Sequence, residues 1–252
     1  MNSHVFAPAK EKISVQSLNA TLIKSVPLSQ SAHHLTFRVE SKEMLDFLPG
    51  QSVCVEIAAQ ADSIPSPYSI ASAPRGDNCF ELCLRRGAKG SAATRLCDLN
   101  EGTQVRSTRP KGGFVLQQPE GDTVFLAAGT GIAPIRSMIH WLLRKDGRHW
   151  ESKVCLIFGA RDNESLFFHH EFVELAEKHP NFHYLPTLSR PHANWHGACG
   201  YVQEHLHCLP VAPENTHAYL CGPAAMITSA REALEEQGWP EMRVHYERHV
   251  IE

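Results

Sequence analysis

The sequence lacks any long apolar run. Its first thirty residues hold no stretch suited to a signal peptide, and no segment reaches the roughly 18 to 20 apolar residues that a membrane-spanning helix needs. It also lacks an excess of either charge, since 24 Lys and Arg face 27 Asp and Glu, for a formal net charge of -3. This balance argues against nucleic acid and against an anionic membrane as the main partner. The sequence therefore predicts a soluble, cytoplasmic protein.

The eight cysteines lack the spacing of a disulfide framework or of a plant-type iron-sulfur cluster. Several lie within apolar runs, such as Val53–Val55 and Val154–Leu156, as small buried residues do. Among sixteen histidines the densest group is His205–Cys208, and no second pair of ligands follows it at a usual distance. We therefore expect no metal site, no cluster and a reducing compartment.

Up to residue 118 the pattern indicates short antiparallel strands. Apolar residues alternate with polar ones at 35–39 and 53–57, and Phe80, Leu82 and Leu84 would form one apolar face of a further strand. Glycine and proline turns separate these segments. The N-terminal half is predicted to be a six-stranded antiparallel β-barrel.

After residue 118 the period changes from strands alone to strands alternating with helices. Thr123–Ala128 is a continuous apolar strand that a glycine turn joins to an amphipathic helix. Further strands are predicted at 154–158, 182–185, 218–221 and 243–246, with helices at 169–179 and 224–237. Such alternation builds a parallel sheet with helices on both faces. The sequence thus predicts a barrel domain over 1–118 and a Rossmann-like α/β domain over 119–252.

Three separated motifs carry the chemistry: Ser66–Ser72, Gly129–Pro134 and Cys221–Pro223. Together they resemble the ferredoxin-NADP reductase superfamily, in which a flavin-holding barrel precedes a nicotinamide-nucleotide domain. Their order and spacing fit over nearly the whole chain. The resemblance implies an electron-transfer flavoenzyme.

The resemblance places the flavin ring against the first motif. Tyr68 would pack on the ring, and Ser69 would hydrogen-bond the ring nitrogen that accepts hydride, with Ser66 and Pro67 beside them. The family's arginine, which grips the flavin phosphate, is replaced here by Ser66. A charge-assisted hydrogen bond contributes about 1.5 to 3 kcal/mol, so flavin affinity would fall roughly ten- to a hundredfold without compensation.

Compensation is expected from Arg85 and from a second flavin signature. Gly90, Ser91 and Thr94 resemble the family's glycine-rich turn, which opens a short helix over the flavin diphosphate. Ser91 suits the N-cap, and free N–H groups of a first turn attract an anion. We expect FAD because a diphosphate site is implied, with FMN as the alternative.

The remaining motifs would hold the nicotinamide nucleotide. Gly129 and Gly131, with Thr130 between them and Pro134 following, lie between a strand and a helix, the context of a diphosphate loop. The resemblance assigns the ribose 2'-phosphate to Ser189 and Arg190, whose fork suits a phosphate. Arginine also occurs there in NADH users, so NADPH and NADH both remain open.

A third group would carry the catalytic step. Cys221, followed by Gly222 and Pro223, resembles the loop beside the nicotinamide ring, where the thiol would position the reactive carbon. Glu247 resembles the family's carboxylate at the flavin edge and is a candidate proton relay. The predicted catalytic residues are therefore Ser69, Cys221 and Glu247.

Between residues 85 and 111, seven basic residues face two acidic ones, for a local charge of 7 - 2 = +5. Part of this charge would serve flavin phosphates, and the rest would form a docking face for an acidic electron carrier such as a ferredoxin. Solvated strand faces are the alternative interpretation.

The sequence predicts a reductase that passes electrons between NAD(P)H and a separate acceptor protein through flavin. A free-flavin or quinone reductase is the nearest alternative, and Ser66 favours it because loosely held flavin can leave as product. A noncatalytic subunit of a larger enzyme is the second alternative. The oligomeric state is not predicted.

Overall fold

Six antiparallel strands form a curled sheet in the first half of the chain. The computed structural model describes residues 17–57, 66–117, 121–144 and 152–248. The strands are β1 (Leu18–Ser29), β2 (Ala32–Val39), β3 (Ser52–Ile57), β4 (Pro67–Ser69), β5 (Cys79–Arg85) and β6 (Gln104–Ser107). Their order in the sheet is β4-β3-β6-β1-β2-β5. A bridge between Ile70 and Leu82 joins the two outer strands, so the sheet curls upon itself.

The interior of this sheet is filled by large apolar side chains. Phe37 and Phe80 stack with ring centroids 5.3 Å apart, and both are fully buried among leucines of neighbouring strands. The short helix α1 (Ala92–Cys97) adds Leu96 to the same core. The predicted barrel is therefore confirmed as a six-stranded antiparallel curled sheet.

Six parallel strands form a second sheet in the other half. They are β7 (Asp122–Ala128), β8 (Val154–Ala160), β9 (Phe182–Leu188), β10 (Ala198–Cys199), β11 (Thr216–Gly222) and β12 (Val244–Arg248). Their order is β10-β9-β8-β7-β11-β12. The helices are α2 (Ile132–Leu142), α3 (His169–Lys178) and α4 (Ala224–Glu236). The predicted α/β parallel-sheet fold is thereby confirmed.

The central strands of this sheet are buried on both faces, which explains their continuous apolar runs. Phe125, Phe158 and Cys221 point to the face that α2 and α3 cover. Leu126 and Leu220 point to the face that α4 covers. Within the described residues, no helix is both long enough and apolar enough to cross a membrane.

One strand differs from its prediction in a way that bears on the site. Only Phe80, Leu82 and Leu84 were expected to be buried in β5, yet Glu81 and Cys83 on its other face are buried too. That face packs against the second half of the chain, where Cys83 joins the core around α2. β5 therefore lies between the two halves and contacts the core of each.

The two halves also meet near their predicted boundary. The backbone N–H of Gln117 donates to the Tyr219 hydroxyl at 2.9 Å, which ties the end of the first half to β11. Residues 118–120, where the predicted boundary at 118/119 falls, lie outside the described residues.

Candidate functional site

The predicted flavin-contacting pair lies on the short edge strand β4. Tyr68 pairs with Val53 and Ser69 with Ser52 of β3, and the Tyr68 ring is half-buried against the core of the curled sheet. Ser66 directly precedes the strand and Pro67 begins it. Pairing with β3 therefore fixes the backbone direction of both predicted ring contacts.

Ser69 meets Glu247 across the junction between the halves. The Ser69 hydroxyl donates to Oε2 of Glu247 at 3.4 Å, although the residues are 178 positions apart. Cys221 is the register partner of Glu247 on the adjacent strand. The three predicted catalytic residues are thus brought to one place, from β4, β11 and β12.

Burial sets the protonation of this group. It raises the pKa of Glu247 to about 7, although the hydrogen bond from Ser69 acts in the opposite direction. Burial and, secondarily, the charge of Glu247 raise the pKa of the Cys221 thiol well above its usual value. At neutral pH Glu247 can therefore take up or release a proton, while Cys221 stays a thiol.

The glycine loop lies against the Cys221 segment at the carboxyl edge of the parallel sheet. Gly129–Gly131 is a single 3-10 turn from which α2 begins at Ile132. A Cβ at Gly131 would lie 2.2 Å from the Cys221 carbonyl oxygen, so only glycine allows this approach. Thr130 lies between the two glycines, and Pro134 is the third residue of α2, where its missing N–H is tolerated.

Space in front of the loop is open. Gly129 adopts a positive φ of 58°, and a Cβ there would meet no atom within 4 Å. Beside it, Gly222 ends β11, and Pro223 occupies the N-cap position of α4. Two helices therefore begin at this edge, α2 on one face of the sheet and α4 on the other, with a glycine loop that lets a phosphate approach the backbone.

The second flavin signature forms the expected capped turn. Gly90 has a φ of 81° and open space around its Cα, and the Ser91 hydroxyl accepts from the Thr94 N–H at 3.2 Å. The Thr94 hydroxyl is directed to the carbonyls of Gly87 and Ala88. Arg85 is exposed at the end of β5, just before this turn.

Ser189 and Arg190 follow β9 and are exposed. The Ser189 N–H donates to the Ala160 carbonyl at 3.0 Å, and the Arg190 N–H donates to the Arg161 carbonyl at 2.8 Å. Arg161 is exposed at the matching position after β8 and was not predicted as a site residue. Its place directly after an apolar strand was the available signal, because adjacent parallel strands end at one edge.

Ion pairs with carboxylates reduce the positive charge of the basic stretch between residues 85 and 111. Arg86 pairs with Asp98 at 2.5 Å, Arg106 with Glu56 at 3.3 Å, and Arg109 with Glu43 at 3.3 Å. Glu56 and Glu43 lie outside the stretch, so the sequence count omitted them. The local excess of +5 therefore overstates the field that an acidic partner would meet.

The residues present fit a flavin and a dinucleotide. The glycine loop offers open backbone to a diphosphate, and a hydroxyl, a carboxyl and a thiol from two halves converge beside it. No group of three or more metal-binding side chains occurs in the part of the chain that the structure describes.

Two family models match this chain. The first, Oxidoreductase FAD-binding domain, matches residues 19–116. The second, Oxidoreductase NAD-binding domain, matches residues 125–232.

Named relatives match most of the length of this chain. Ferredoxin--NADP reductase B of Sorangium cellulosum is 32% identical over 246 residues, which cover 94% of this chain and 99% of the relative. CDP-6-deoxy-L-threo-D-glycero-4-hexulose-3-dehydrase reductase of Yersinia pestis is 33% identical over 82% of this chain. The match spans only 61% of that relative's own length.

Solved structures agree on the architecture. The Amycolatopsis cytochrome P450 reductase superposes with a TM-score of 0.81 at 27% identity, covering 92% of this chain and 69% of that one. A ferredoxin NADP+ reductase from Neisseria gonorrhoeae, solved with FAD and NADP, gives a TM-score of 0.80 at 20% identity. It covers 93% of this chain and 99% of that one, and shows the shared fold.

Proposed function

This chain belongs to the ferredoxin-NADP reductase superfamily of FAD- and NAD-binding oxidoreductases, and on that premise we propose how it works. It is an NAD(P)H-dependent flavoprotein reductase that passes electrons to a separate ferredoxin-type carrier. The observation that carries the proposal is the contact of Ser69 with Glu247, which is the register partner of Cys221 on the adjacent strand. It joins a flavin-side residue to two residues beside the nucleotide loop.

FAD, when bound, accepts two electrons together from NAD(P)H and can pass them on singly. We assign Tyr68 and Ser69 to the ring, and Ser91 and Thr94, with Gly90 and Arg85, to the diphosphate. Ser66 and Pro67 complete the flavin-side set. The domain boundary is proposed at 118/119.

The nucleotide would lie at the carboxyl edge of the parallel sheet. Gly129, Thr130, Gly131 and Pro134 would hold its diphosphate, and Cys221, Gly222 and Pro223 would orient its ring. A neutral thiol at Cys221 contributes shape without adding charge beside a ring that becomes cationic on oxidation. Its role is to align the reacting partners.

Glu247 would exchange the proton that the flavin takes up after it receives hydride and releases when it gives up its electrons. Its raised pKa of about 7 lets the carboxyl give or take a proton near neutral pH. The Ser69 hydroxyl, in contact with the carboxyl, can relay that proton towards the ring.

Ser189 and Arg190 would read the nucleotide's ribose, and Arg161 joins them by position. Two exposed guanidinium groups at one sheet edge favour a 2'-phosphate. We therefore propose NADPH as the preferred donor, with NADH as the alternative.

The carrier is proposed to be acidic and to dock through what remains of the basic stretch. Because three of its arginines already pair with carboxylates, the positive electrostatic potential that attracts the carrier should be moderate. Carrier reduction that slows at high ionic strength would support this docking face. Equal rates at low and high salt would contradict it.

The eight cysteines, all within the described residues, form no disulfide bond, and six of them are buried. This supports the reducing, cytoplasmic location that we keep as part of the proposal.

The decisive experiment reduces the purified, FAD-loaded chain anaerobically with NADPH and with NADH. Bleaching of the flavin absorbance is expected, and a chain that takes up no flavin would instead favour a noncatalytic subunit. Flavin released on denaturation identifies FAD or FMN. Dissociation constants for oxidised and reduced flavin test the free-flavin reductase alternative, which requires weak binding of the reduced form.

A further inference from the structure

A row of five alternating basic and acidic side chains crosses the junction between the halves. His34 contacts Glu81 at 3.0 Å, and Glu81 contacts Arg136 at 2.7 Å. Arg136 contacts Glu171 at 2.7 Å, and Glu171 contacts His140 at 2.6 Å. His34 and Glu81 belong to the curled sheet, whereas the other three lie on α2 and α3.

Arg136 is the centre of this row. Its side chain is only 10% exposed, and it binds Glu171 through two parallel hydrogen bonds of 2.7 and 3.0 Å. The same guanidinium donates to Glu81 at 2.7 Å and to the Ala71 carbonyl at 2.8 Å. A lysine ammonium cannot reproduce this set, because it lacks the planar fork.

The Ala71 contact ties α2 to the backbone that leaves β4. The hydroxyl of Ser137, the next residue of α2, donates to the Ser72 carbonyl at 2.7 Å. Ala71 and Ser72 follow Ser69 by two and three positions. The helix therefore holds Ala71 and Ser72, which lie just after the Ser69 that contacts Glu247.

The other edge of this segment is held by β5. The Ala71 N–H donates to the Glu81 carbonyl at 2.7 Å, and the Glu81 N–H donates to the Ser72 hydroxyl at 3.1 Å. Glu81 thus binds the segment through its backbone and Arg136 through its side chain.

The same helix begins at the nucleotide loop. α2 starts one residue after Gly131, which lies against Cys221. Arg136 is four residues after Ile132, about 6 Å along the helix axis. One short rigid element therefore contacts the nucleotide side of the site at its start and the flavin side through Arg136.

Phe168 beside this junction has a strained backbone conformation. It has φ 60° and ψ 19°, the left-handed region that a bulky residue rarely adopts. Its ring lies 4.7 Å from the Arg136 guanidinium carbon and meets the His34 ring edge-on at 5.1 Å. Backbone strain of this kind persists where surrounding contacts over-determine it.

Burial favours the neutral form of both carboxyls, yet their partners reverse this. Hydrogen bonds from the histidines and the charge of Arg136 bring the pKa of Glu171 down to about 2 and that of Glu81 well below its usual range. Both carboxylates are therefore ionised. Buried ion pairs of this kind add little net stability relative to apolar packing, and their best-attested role is to specify one arrangement.

We propose that Arg136 is a positioning residue for hydride transfer. It holds residues 69–72 on the flavin side at a fixed distance from the contact between Gly131 and Cys221 on the nucleotide side. This rests on the proposed function. With both groups bound, the step would transfer one hydride, a proton with two electrons, from the dihydronicotinamide to the flavin, leaving the nucleotide oxidised and the flavin reduced. Arg136 exchanges neither proton nor electron, and it acts only through the geometry of the two segments.

The test replaces Arg136 by lysine in the full FAD-loaded chain. We expect Arg136→Lys to slow anaerobic flavin bleaching in a single turnover by about tenfold or more, while the dissociation constant for oxidised nucleotide changes by less than about twofold. The charge-transfer absorbance on mixing should weaken, and hydrogen exchange at the Ala71 amide should speed up. A purely structural role would lower thermal stability without this separation of rate from affinity.

Matched variants complete the design. Arg231→Lys changes a guanidinium that stacks on Tyr246 on the α4 face of the parallel sheet, opposite to α2, and it should leave all four readouts unchanged. Glu171→Gln removes one half-buried charge of the row, whereas Glu174→Gln removes an exposed charge one turn along α3, where Glu174 pairs with Lys178. Only Glu171→Gln should reproduce the loss, which keeps the test available if Arg136→Lys does not fold.

The two proposals fail differently. If the wild-type chain is not bleached by either nucleotide, the proposed function fails. If the wild type is bleached and both junction variants match its rate, or lose rate only in proportion to nucleotide affinity, the positioning proposal fails.

Discussion

The Ser69 hydroxyl lies 3.4 Å from the Glu247 carboxylate, across the junction between a curled antiparallel sheet and a parallel sheet. This contact places a carboxyl that is mostly removed from water beside Cys221. Burial at this junction, against the opposing hydrogen bond from Ser69, explains why Glu247 holds its proton to a higher pH than an exposed glutamate does.

Glu247 should make the chain less stable as pH rises. Its pKa is raised from a usual 4.5 to about 7 in the folded state, so its favourable contribution is complete below pH 4.5 and is lost as pH rises through 7. The loss is roughly 3 kcal/mol from this group.

Urea unfolding of the wild type and of Glu247→Gln at pH 5 and pH 8 measures this. The two should be similar at pH 5, and the variant should be the more stable at pH 8. Parallel pH dependence of the two proteins would show that the carboxyl titrates normally.

Cys221→Ala should slow flavin reduction by roughly tenfold while flavin stays bound, because the thiol aligns the nicotinamide and does not hold the flavin. Stopped-flow bleaching and flavin content are the measurements. Cys155→Ala is the control, since Cys155 is equally buried but points to the α4 face of the sheet. Equal slowing in both variants would indicate a general packing effect.

Arg190→Ala and Arg161→Ala should each weaken NADPH by about 1.5 to 3 kcal/mol, or ten- to a hundredfold, and NADH far less. The reason is the loss of a charge-assisted contact to the 2'-phosphate. Equilibrium binding of both nucleotides measures this. Arg38→Ala, an exposed arginine of β2, should change neither. Equal losses for NADPH and NADH would contradict a role in reading the phosphate.

Gly131→Ala should disrupt nucleotide binding, since the added Cβ would meet the Cys221 carbonyl oxygen at 2.2 Å. The backbone cannot yield cheaply at that point, so we expect a destabilisation of about 1 to 3 kcal/mol together with weaker nucleotide binding. Gly113→Ala is the matched control, because a Cβ there meets nothing within 4 Å. Titration calorimetry and thermal unfolding would detect the difference, and wild-type behaviour of Gly131→Ala would refute the close approach.

Much of the architecture was readable from local pattern. Apolar runs and helical spacing predicted β7, α2 and α4 within a few residues of where they lie, because a strand or helix records in its own periodicity which of its faces is buried. β1 was not predicted, since its alternation is interrupted by polar residues such as Lys24 and Ser25. Its pairing with β2 and β6 supplies the order that its composition does not.

The sequence by itself determined the two folds, the order of the motifs and the residue types that each motif offers, because these depend on neighbours a few positions away. Only the tertiary structure decided that Glu81 is buried, that Arg136 spans the junction and that Arg161 lies beside Arg190. Each of these depends on groups brought together by the packing of separate elements. Periodicity within one element carries no information about which distant surface will cover it.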